Sequence, residues 1–186
     1  RSRRDAAGSS LGAGGRGESV WLGWFLARTL PDFVPVAVQH GDPERAEICR
    51  TTARTLLGAI EAHAWDGAWY RRAFYDDGTP LGSRENTECR IDAIAQSWSV
   101  IASGDHPRAR RAVASSEDEL VVPEQRMMLL LKPPFTDPAR EPGYIRSYPP
   151  GIRENGGQYT HGVLWTAQAL CLLGEGDRAY RLLSFL

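Results

Sequence analysis

No stretch of this 186-residue chain is apolar for the about 18–20 residues that a membrane-spanning helix requires. A basic excess is missing too. The formal net charge is −1, whereas a nucleic-acid-binding face needs a surplus of Lys and Arg. Cysteine is scarce: Cys49, Cys89 and Cys171 are far apart and odd in number. That argues against a disulfide framework or a spaced metal site and predicts inert thiols in a reduced compartment. The basic N-terminus is not followed by an apolar signal region, so no signal peptide is read. The expected compartment is the cytoplasm, with a membrane anchor elsewhere in a parent protein left open. What is present suffices for a core, since 42% of the residues are hydrophobic. The length fits one domain or part of a larger one. Six tryptophans and six tyrosines can stack on sugar rings or fill a core, and their number alone does not choose.

Residues 1–17 lack periodicity and are rich in Gly, Ser and Arg, which predicts an irregular or disordered segment. From Glu18 the pattern turns helical. Val20, Trp21, Trp24, Phe25 and Leu26 form an apolar face, with an end expected near Pro31. Asp42-Pro43 opens a second helix, 43–64, with Cys49, Ala53, Leu56, Leu57 and Ile60 spaced by three and four. Further helices are expected over about 90–103, 107–116, from 157 or 159 to 173, and over 177–185. A loop over 65–88 carries the strong turn signal Asp76-Asp77-Gly78-Thr79-Pro80 and predicts a hairpin with 69–74 as one arm. Leu129 to Leu131 reads as a brief extended piece. The acidic run Glu117-Asp118-Glu119 reads as a solvated face.

Three linkers share a design: Gly41-Asp42-Pro43-Glu44-Arg45-Ala46, Gly104-Asp105-His106-Pro107-Arg108-Ala109 and Gly174-Glu175-Gly176-Asp177-Arg178-Ala179. In each, Gly ends one helix, Asp is expected to cap the next, and Arg-Ala opens it. The recurrence predicts stacked helical hairpins. Six such hairpins close a toroid of twelve helices. About six helices here predict an all-α fold forming roughly half of one, hence a fragment.

The richest stretch is Tyr148-Pro149-Pro150-Gly151-Ile152-Arg153-Glu154-Asn155-Gly156-Gly157-Gln158-Tyr159-Thr160-His161. Prolines and glycines fix an irregular backbone just before an apolar helix, so charged and amide side chains are held at the helix mouth. The plainer reading is a helix-entry loop with a Thr cap.

Several motifs together resemble the catalytic domain of glycoside hydrolase family 94, which holds cellobiose and chitobiose phosphorylases and the C-terminal part of cyclic β-1,2-glucan synthases. They are Gly15-Arg16-Gly17-Glu18-Ser19-Val20-Trp21-Leu22-Gly23-Trp24-Phe25, Trp65-Asp66-Gly67-Ala68-Trp69-Tyr70-Arg71-Arg72, and Asp76-Asp77-Gly78-Thr79-Pro80-Leu81-Gly82-Ser83. Cys89-Arg90-Ile91-Asp92-Ala93-Ile94-Ala95-Gln96-Ser97-Trp98 and the Tyr148–His161 run complete the set, and the pattern is nearest the cyclic-glucan-synthase branch. The resemblance implies an (α/α)₆ barrel, of which residues 18–186 would be a part. It also implies inverting phosphorolysis of a β-linked glucan or oligosaccharide. Inorganic phosphate is the co-substrate, no cofactor or metal is implied, and the remainder of a larger polypeptide is a partner.

By the same resemblance His161 matches a phosphate-contacting histidine and Glu154 a sugar-contacting carboxylate. Arg153, Gln158 and Tyr159 would line the same wall. Gln96, on the third helix, has an amide able to bind a sugar hydroxyl or to serve the fold. Arg16 and Glu18 read as loop-fixing, and Trp65 and Trp69 as loop packing or a sugar platform. The family's general acid is an Asp in a Trp-Asn-Asp-Gly motif just before the Gly-Arg-Gly-Glu-Ser stretch. Here that place reads Arg3-Arg4-Asp5-Ala6-Ala7-Gly8, so the motif is absent and the acid role is not carried onto Asp5. The alternative is therefore a catalytically inactive carbohydrate-binding remnant.

Overall fold

The computed structural model describes residue 12, residues 14–138 and residues 140–186. Most of the irregular segment expected over 1–17, Asp5 included, lies outside the described residues. The described chain is helical, with short strands only at helix entries and in loops. The helices are α1 (Val20–Gln39), α2 (Pro43–His63), α3 (Ala93–Ser103), α4 (Pro107–Leu120), α5 (Thr160–Leu172) and α6 (Gly176–Leu183). Each odd helix pairs with the even helix that follows it, and α1, α3 and α5 pack side by side as one inner layer. Small residues let the helices approach closely: Ala93, Ala95, Ala109, Ala112, Ala167 and Ala169 are all buried. Larger side chains fill the remaining space, with Val100, Val113, Leu120, Val163, Leu170 and Leu182 in one cluster and Val20, Trp24, Ile60, Tyr70 and Trp98 in another.

α1 does not end near Pro31. It runs to Gln39 with Pro31 and Pro35 inside it. Each proline removes one backbone hydrogen bond, a cost of about 3 kcal/mol in an isolated helix. Both stand on the exposed side, while Ala27 and Ala37 remain buried against the neighbouring helices, so packing outweighs propensity. α3 starts at Ala93 rather than Arg90, because Ile91–Asp92 forms a strand and the Asp92 carboxylate accepts the Ala95 N–H at 2.9 Å as an N-cap.

The linkers do join paired helices, but their capping differs from expectation. Asp42 caps α2, accepting the Arg45 N–H at 2.8 Å. α4 is capped by His106, while Asp105 turns away to pair with Arg110 at 2.6 Å. α6 has no side-chain cap, and Asp177 sits inside its first turn. The acidic run is a solvated face only in part, with Asp118 exposed and Glu119 half-exposed. Glu117 is buried and pairs with Arg178 and Arg181, tying α4 to α6, and α4 runs on to Leu120 rather than ending at Ser116.

Two of the strands lead directly into inner helices, and the others lie in the connections. β1 (Glu18–Ser19), β2 (Ala73–Phe74) and β3 (Pro80–Leu81) form an antiparallel sheet in that order. β2 and β3 are the expected hairpin, with a shorter first arm than 69–74. β4 (Ile91–Asp92) pairs with β7 (Leu131–Lys132), and β5 (Val121–Val122) with β6 (Met127–Met128). The extended piece near Leu129 is thus two strands with a bridge from Leu129 to Gln158 between them. Among the described residues no helix is long and apolar enough to cross a membrane. Cys49 and Cys89 are buried, Cys171 is exposed, and none is bonded to another.

Candidate active site

The long connections 64–92 and 121–159 meet at the N-terminal ends of α1, α3 and α5, and every candidate residue lies there. The Tyr148–His161 run is folded around one side chain. Asn155 is fully buried. Its Oδ1 accepts the Phe135 N–H at 2.7 Å, and its Nδ2 donates to the carbonyls of Phe135 at 2.9 Å and Tyr148 at 2.8 Å. The turn beside it is tight. Arg153 has φ of 49°, an unfavourable conformation for a side chain of that size, and bonds close from Gly151 N–H to Asn155 O and from Gly157 N–H to Arg153 O. The adjacent glycines are required by close approach. A Cβ on Gly156 would lie 3.1 Å from the Leu131 carbonyl oxygen, and one on Gly157 would lie 2.9 Å from Arg153 N.

This rigid turn presents Glu154 half-buried, with Oε2 enclosed and, among the described residues, without a hydrogen-bond partner. An enclosed carboxylate oxygen with no donor is costly in a finished structure and marks a place for one. Tyr159 faces the same carboxylate, whose negative charge holds the Tyr159 phenol above its ordinary pKa. Tyr159 stacks on His161 with ring centres 5.3 Å apart, and His161 is exposed on the first turn of α5. Arg153 is exposed and lies over the Tyr148 ring, 5.2 Å from its centre.

α5 differs from the other inner helices in one respect. Ser19 caps α1 and Asp92 caps α3, but no side chain caps α5, including Thr160. The Gly162 N–H is taken by the Tyr159 carbonyl at 2.9 Å, and among the described residues the N–H groups of Thr160 and His161 have no side-chain acceptor. An uncapped helix start with a histidine on it offers donors and a positive dipole end to an anion.

Two of the sequence candidates are taken up by the fold. Gln96 is completely buried. Its Oε1 accepts the Tyr70 N–H at 2.8 Å, and its Nε2 donates to the carbonyls of Tyr70 at 2.8 Å and Asp92 at 3.0 Å. All of that amide is spent holding the 64–92 connection to α3, so the expectation of a sugar contact from Gln96 is corrected to a structural pin. Gln158 accepts the Met128 N–H at 3.0 Å and donates to the Phe185 carbonyl at 3.3 Å, so its side chain faces the strands rather than the Glu154 wall. Trp69 is buried and donates its indole N–H to the carbonyls of Gly82 and Arg90. Trp65 packs on Tyr70 and under the Arg108 guanidinium. Both are loop packing.

Asp76 is a residue that the motif reading passed over except as a turn former. Its carboxylate accepts backbone N–H groups from Gly14 at 2.7 Å, Arg16 at 2.7 Å and Gly17 at 2.8 Å. The Gly14 and Arg16 bonds, with that of Gly17, hold the Asp76 pKa below the usual carboxylate range. Only the pairing of a Gly-rich segment with an Asp-Asp-Gly turn hinted at this, and such pairing cannot be read without the register of β1 on β2.

The described residues thus form three helical hairpins with a loop-built polar cluster at the mouths of the inner helices. Residues 6–186 match the Glycosyl hydrolase 94 superfamily, catalytic domain, and the chain belongs to that family. It is 49% identical over 172 residues to the cyclic beta-(1,2)-glucan synthase NdvB of Rhizobium meliloti (strain 1021), covering 92% of this chain and 6% of that protein. It is 36% identical over 173 residues to the 3-O-beta-D-glucopyranosyl-beta-D-glucuronide phosphorylase of Paenibacillus borealis, covering 91% of this chain and 22% of that one. With the solabiose phosphorylase of Paenibacillus borealis it shares 32% over 186 residues, covering 92% and 22%. The chain thus spans less than a quarter of the length of these relatives.

Proposed function

We propose that this segment forms one wall of an inverting β-glucoside phosphorylase site in a longer, cyclic-glucan-synthase-like protein. The observation that carries the reading is the pairing of an enclosed, partnerless Glu154 oxygen with the uncapped, histidine-bearing start of α5. The first suits a neutral polyhydroxyl ligand, because a carboxylate accepts hydroxyl donors in strong charge-assisted bonds. The second suits a phosphate, because N–H donors and a helix dipole favour an anion. Arg153 and Tyr159 flank the carboxylate and complete the sugar side of the wall.

In the reaction, a phosphate oxygen bonds to the anomeric carbon as the glycosidic C–O bond breaks, giving glucose 1-phosphate with inverted configuration. Phosphate is already an anionic nucleophile and needs no carboxylate base. The departing oxygen still takes a proton from a carboxylic acid. His161 and the α5 amides hold the phosphate against the charge of the transition state. None of Arg153, Glu154, Tyr159 and His161 is given the proton-donor role, which the resemblance places ahead of α1. Closing the site requires further hairpins from the rest of the polypeptide.

The sequence at Arg3–Gly8, without Trp-Asn-Asp-Gly, favours a second reading for the chain as it stands: a carbohydrate-binding remnant that does not turn over. Glucose 1-phosphate formation from β-glucosides and phosphate tests both. The expected result is no turnover by this chain, since loss of a general acid costs about 10²–10⁴ in rate. Turnover is expected from the full-length protein with the acid motif restored. In that protein His161→Ala weakens phosphate saturation more than glucoside saturation, and Glu154→Ala does the reverse. Equal effects of both substitutions on both substrates would overturn the assignment.

A further inference from the structure

The Asp76–Asp77 turn does more than reverse the chain. It closes on itself without the Asp76 side chain: Gly78 N–H donates to Tyr75 O at 2.8 Å, Tyr75 N–H to Thr79 O at 2.9 Å, and Thr79 N–H to Asp77 Oδ1 at 3.0 Å. Among the described residues, every hydrogen bond that Asp76 makes through its carboxylate goes to a loop about sixty residues earlier in the chain. That loop is shaped to fit. A Cβ on Gly14 would stand 3.2 Å from the Asp76 carboxyl carbon, and one on Gly17 would stand 2.5 Å from Gly12 N. The second carboxylate of the turn reaches the other way, where Asp77 Oδ2 pairs with Arg140 at 2.7 Å, on the connection that leads to the Tyr148–His161 run. One turn thus grips both segments that frame the candidate site.

The gripped loop feeds directly into the inner layer. It becomes β1, paired with β2 through Glu18 and Phe74, and then the Ser19 cap of α1. Trp21, on the first turn of α1, packs on Trp165 with centres 5.9 Å apart, and Trp165 lies 5.7 Å from His161. We propose that Asp76 is a positioning residue, its carboxylate the template on which the Gly14–Gly17 backbone folds, and that it thereby fixes how the chain enters β1 and α1. The catalytic part of this inference rests on the phosphorylase reading. The templating part does not.

The test has two arms. In the first, hydrogen exchange is followed at the Gly14, Arg16 and Gly17 amides of this chain. Asp76→Ala should speed exchange at all three at least tenfold while the amides of α3 and α5 keep their rates. Asp76→Asn, which keeps one acceptor oxygen, should free Gly14 while partly protecting Arg16 and Gly17, the two amides bound to Oδ1. Unchanged exchange at the three amides in Asp76→Ala overturns the proposal. General speeding of α3 and α5 also overturns it, because it would mean that Asp76 only stabilises the fold. In the second arm the full-length protein with its acid motif restored carries Asp76→Asn. Displacing a catalytic segment by about 1 Å costs about 10² in rate, so kcat should fall about that much with little change in KM for glucoside. A freed loop with unchanged kcat overturns the positioning role. Absence of turnover in the unsubstituted protein sinks the phosphorylase reading and leaves the templating claim to be decided by the exchange data.

Discussion

The two ends of the inner helices are built by opposite means. At the C-terminal end each inner helix passes to its partner through a short glycine linker, around Gly41, Gly104 and Gly174, and the polar contacts there are exposed ion pairs such as Asp105 with Arg110. At the N-terminal end the connections 64–92 and 121–159 are long, and their polar groups turn inward. Asn155, Gln96 and Asp92 are all buried, and each binds backbone or a buried partner. The first kind of end needs only local turn chemistry. The second needs contacts between segments far apart in the chain, which fix loops without giving them helical structure. That is the division expected between a scaffold end and a candidate site end, where a buried polar network keeps loops from wandering.

The contrast is broken most severely at Asp92. Its carboxylate caps α3 and pairs with Arg72, which the 64–92 connection places beside it, and Asp92 is only 1% exposed. Removing one member of such a pair strands the other, at a cost of about 3–5 kcal/mol. Asp92→Ala is expected to lower the free energy of unfolding by that amount in urea titration. A loss no larger than that of a surface substitution would show that the site end is not held by buried polar contacts.

Asn155→Ala comes next. It leaves the Phe135 N–H and two carbonyls without their partner, and a buried unsatisfied group costs about 1–3 kcal/mol. The expected outcome is a drop in that range together with faster amide exchange from Tyr148 to Gly157. An intact loop after this substitution would mean that the glycine turns alone hold its shape.

Acid should act on the same end more gently. The Asp76 pKa is lowered in the fold by the loop N–H groups of Gly14 and Arg16. A depressed carboxylate contributes in full above its unfolded pKa of about 3.9 and loses that contribution as pH falls through the lower folded value. Exchange-derived protection of Gly14, Arg16 and Gly17, corrected for the intrinsic pH dependence of exchange, is therefore expected to hold at neutral pH and to fall only below about pH 4. Loss of protection between pH 5 and 7 would point to a group other than Asp76.

These differences also explain what could be read from the sequence. Helical hairpins were legible because apolar spacing and the Gly-Asp-Arg-Ala linkers are local, and the Asp-Asp-Gly hairpin was legible for the same reason. The end of α1 was misjudged because proline propensity is local while the packing that overrides it is not. Glu117 looked solvated beside Asp118 and Glu119 until α6 brought Arg178 and Arg181 to it. At the site, Glu154, Tyr159 and His161 come together because one short run carries them all. Gln96 was ambiguous because its partner, the Tyr70 backbone, lies 26 residues away in the chain. Asp76 could not be seen as a template, since its partners precede it by about sixty residues.

The smallest effect is expected at the linker end, and it is the sharpest check on the contrast. Asp105 grips Arg110 with two bonds of 2.6 Å, a geometry that on paper outranks anything Asn155 makes. Both side chains are nearly half exposed, so water and salt screen the pair and ordering two mobile side chains offsets the attraction. Asp105 does not cap α4, which is the task of His106, and Arg110 keeps Glu175 at 3.5 Å and the Leu173 carbonyl at 3.3 Å if Asp105 is lost. Asp105→Ala is therefore expected to leave the thermal unfolding midpoint within the scatter of the unsubstituted chain, at low salt and high salt alike. A fall matching that of Asn155→Ala would show that the short linkers are as tightly specified as the site loops, and the division between a scaffold end and a site end would then have to be given up.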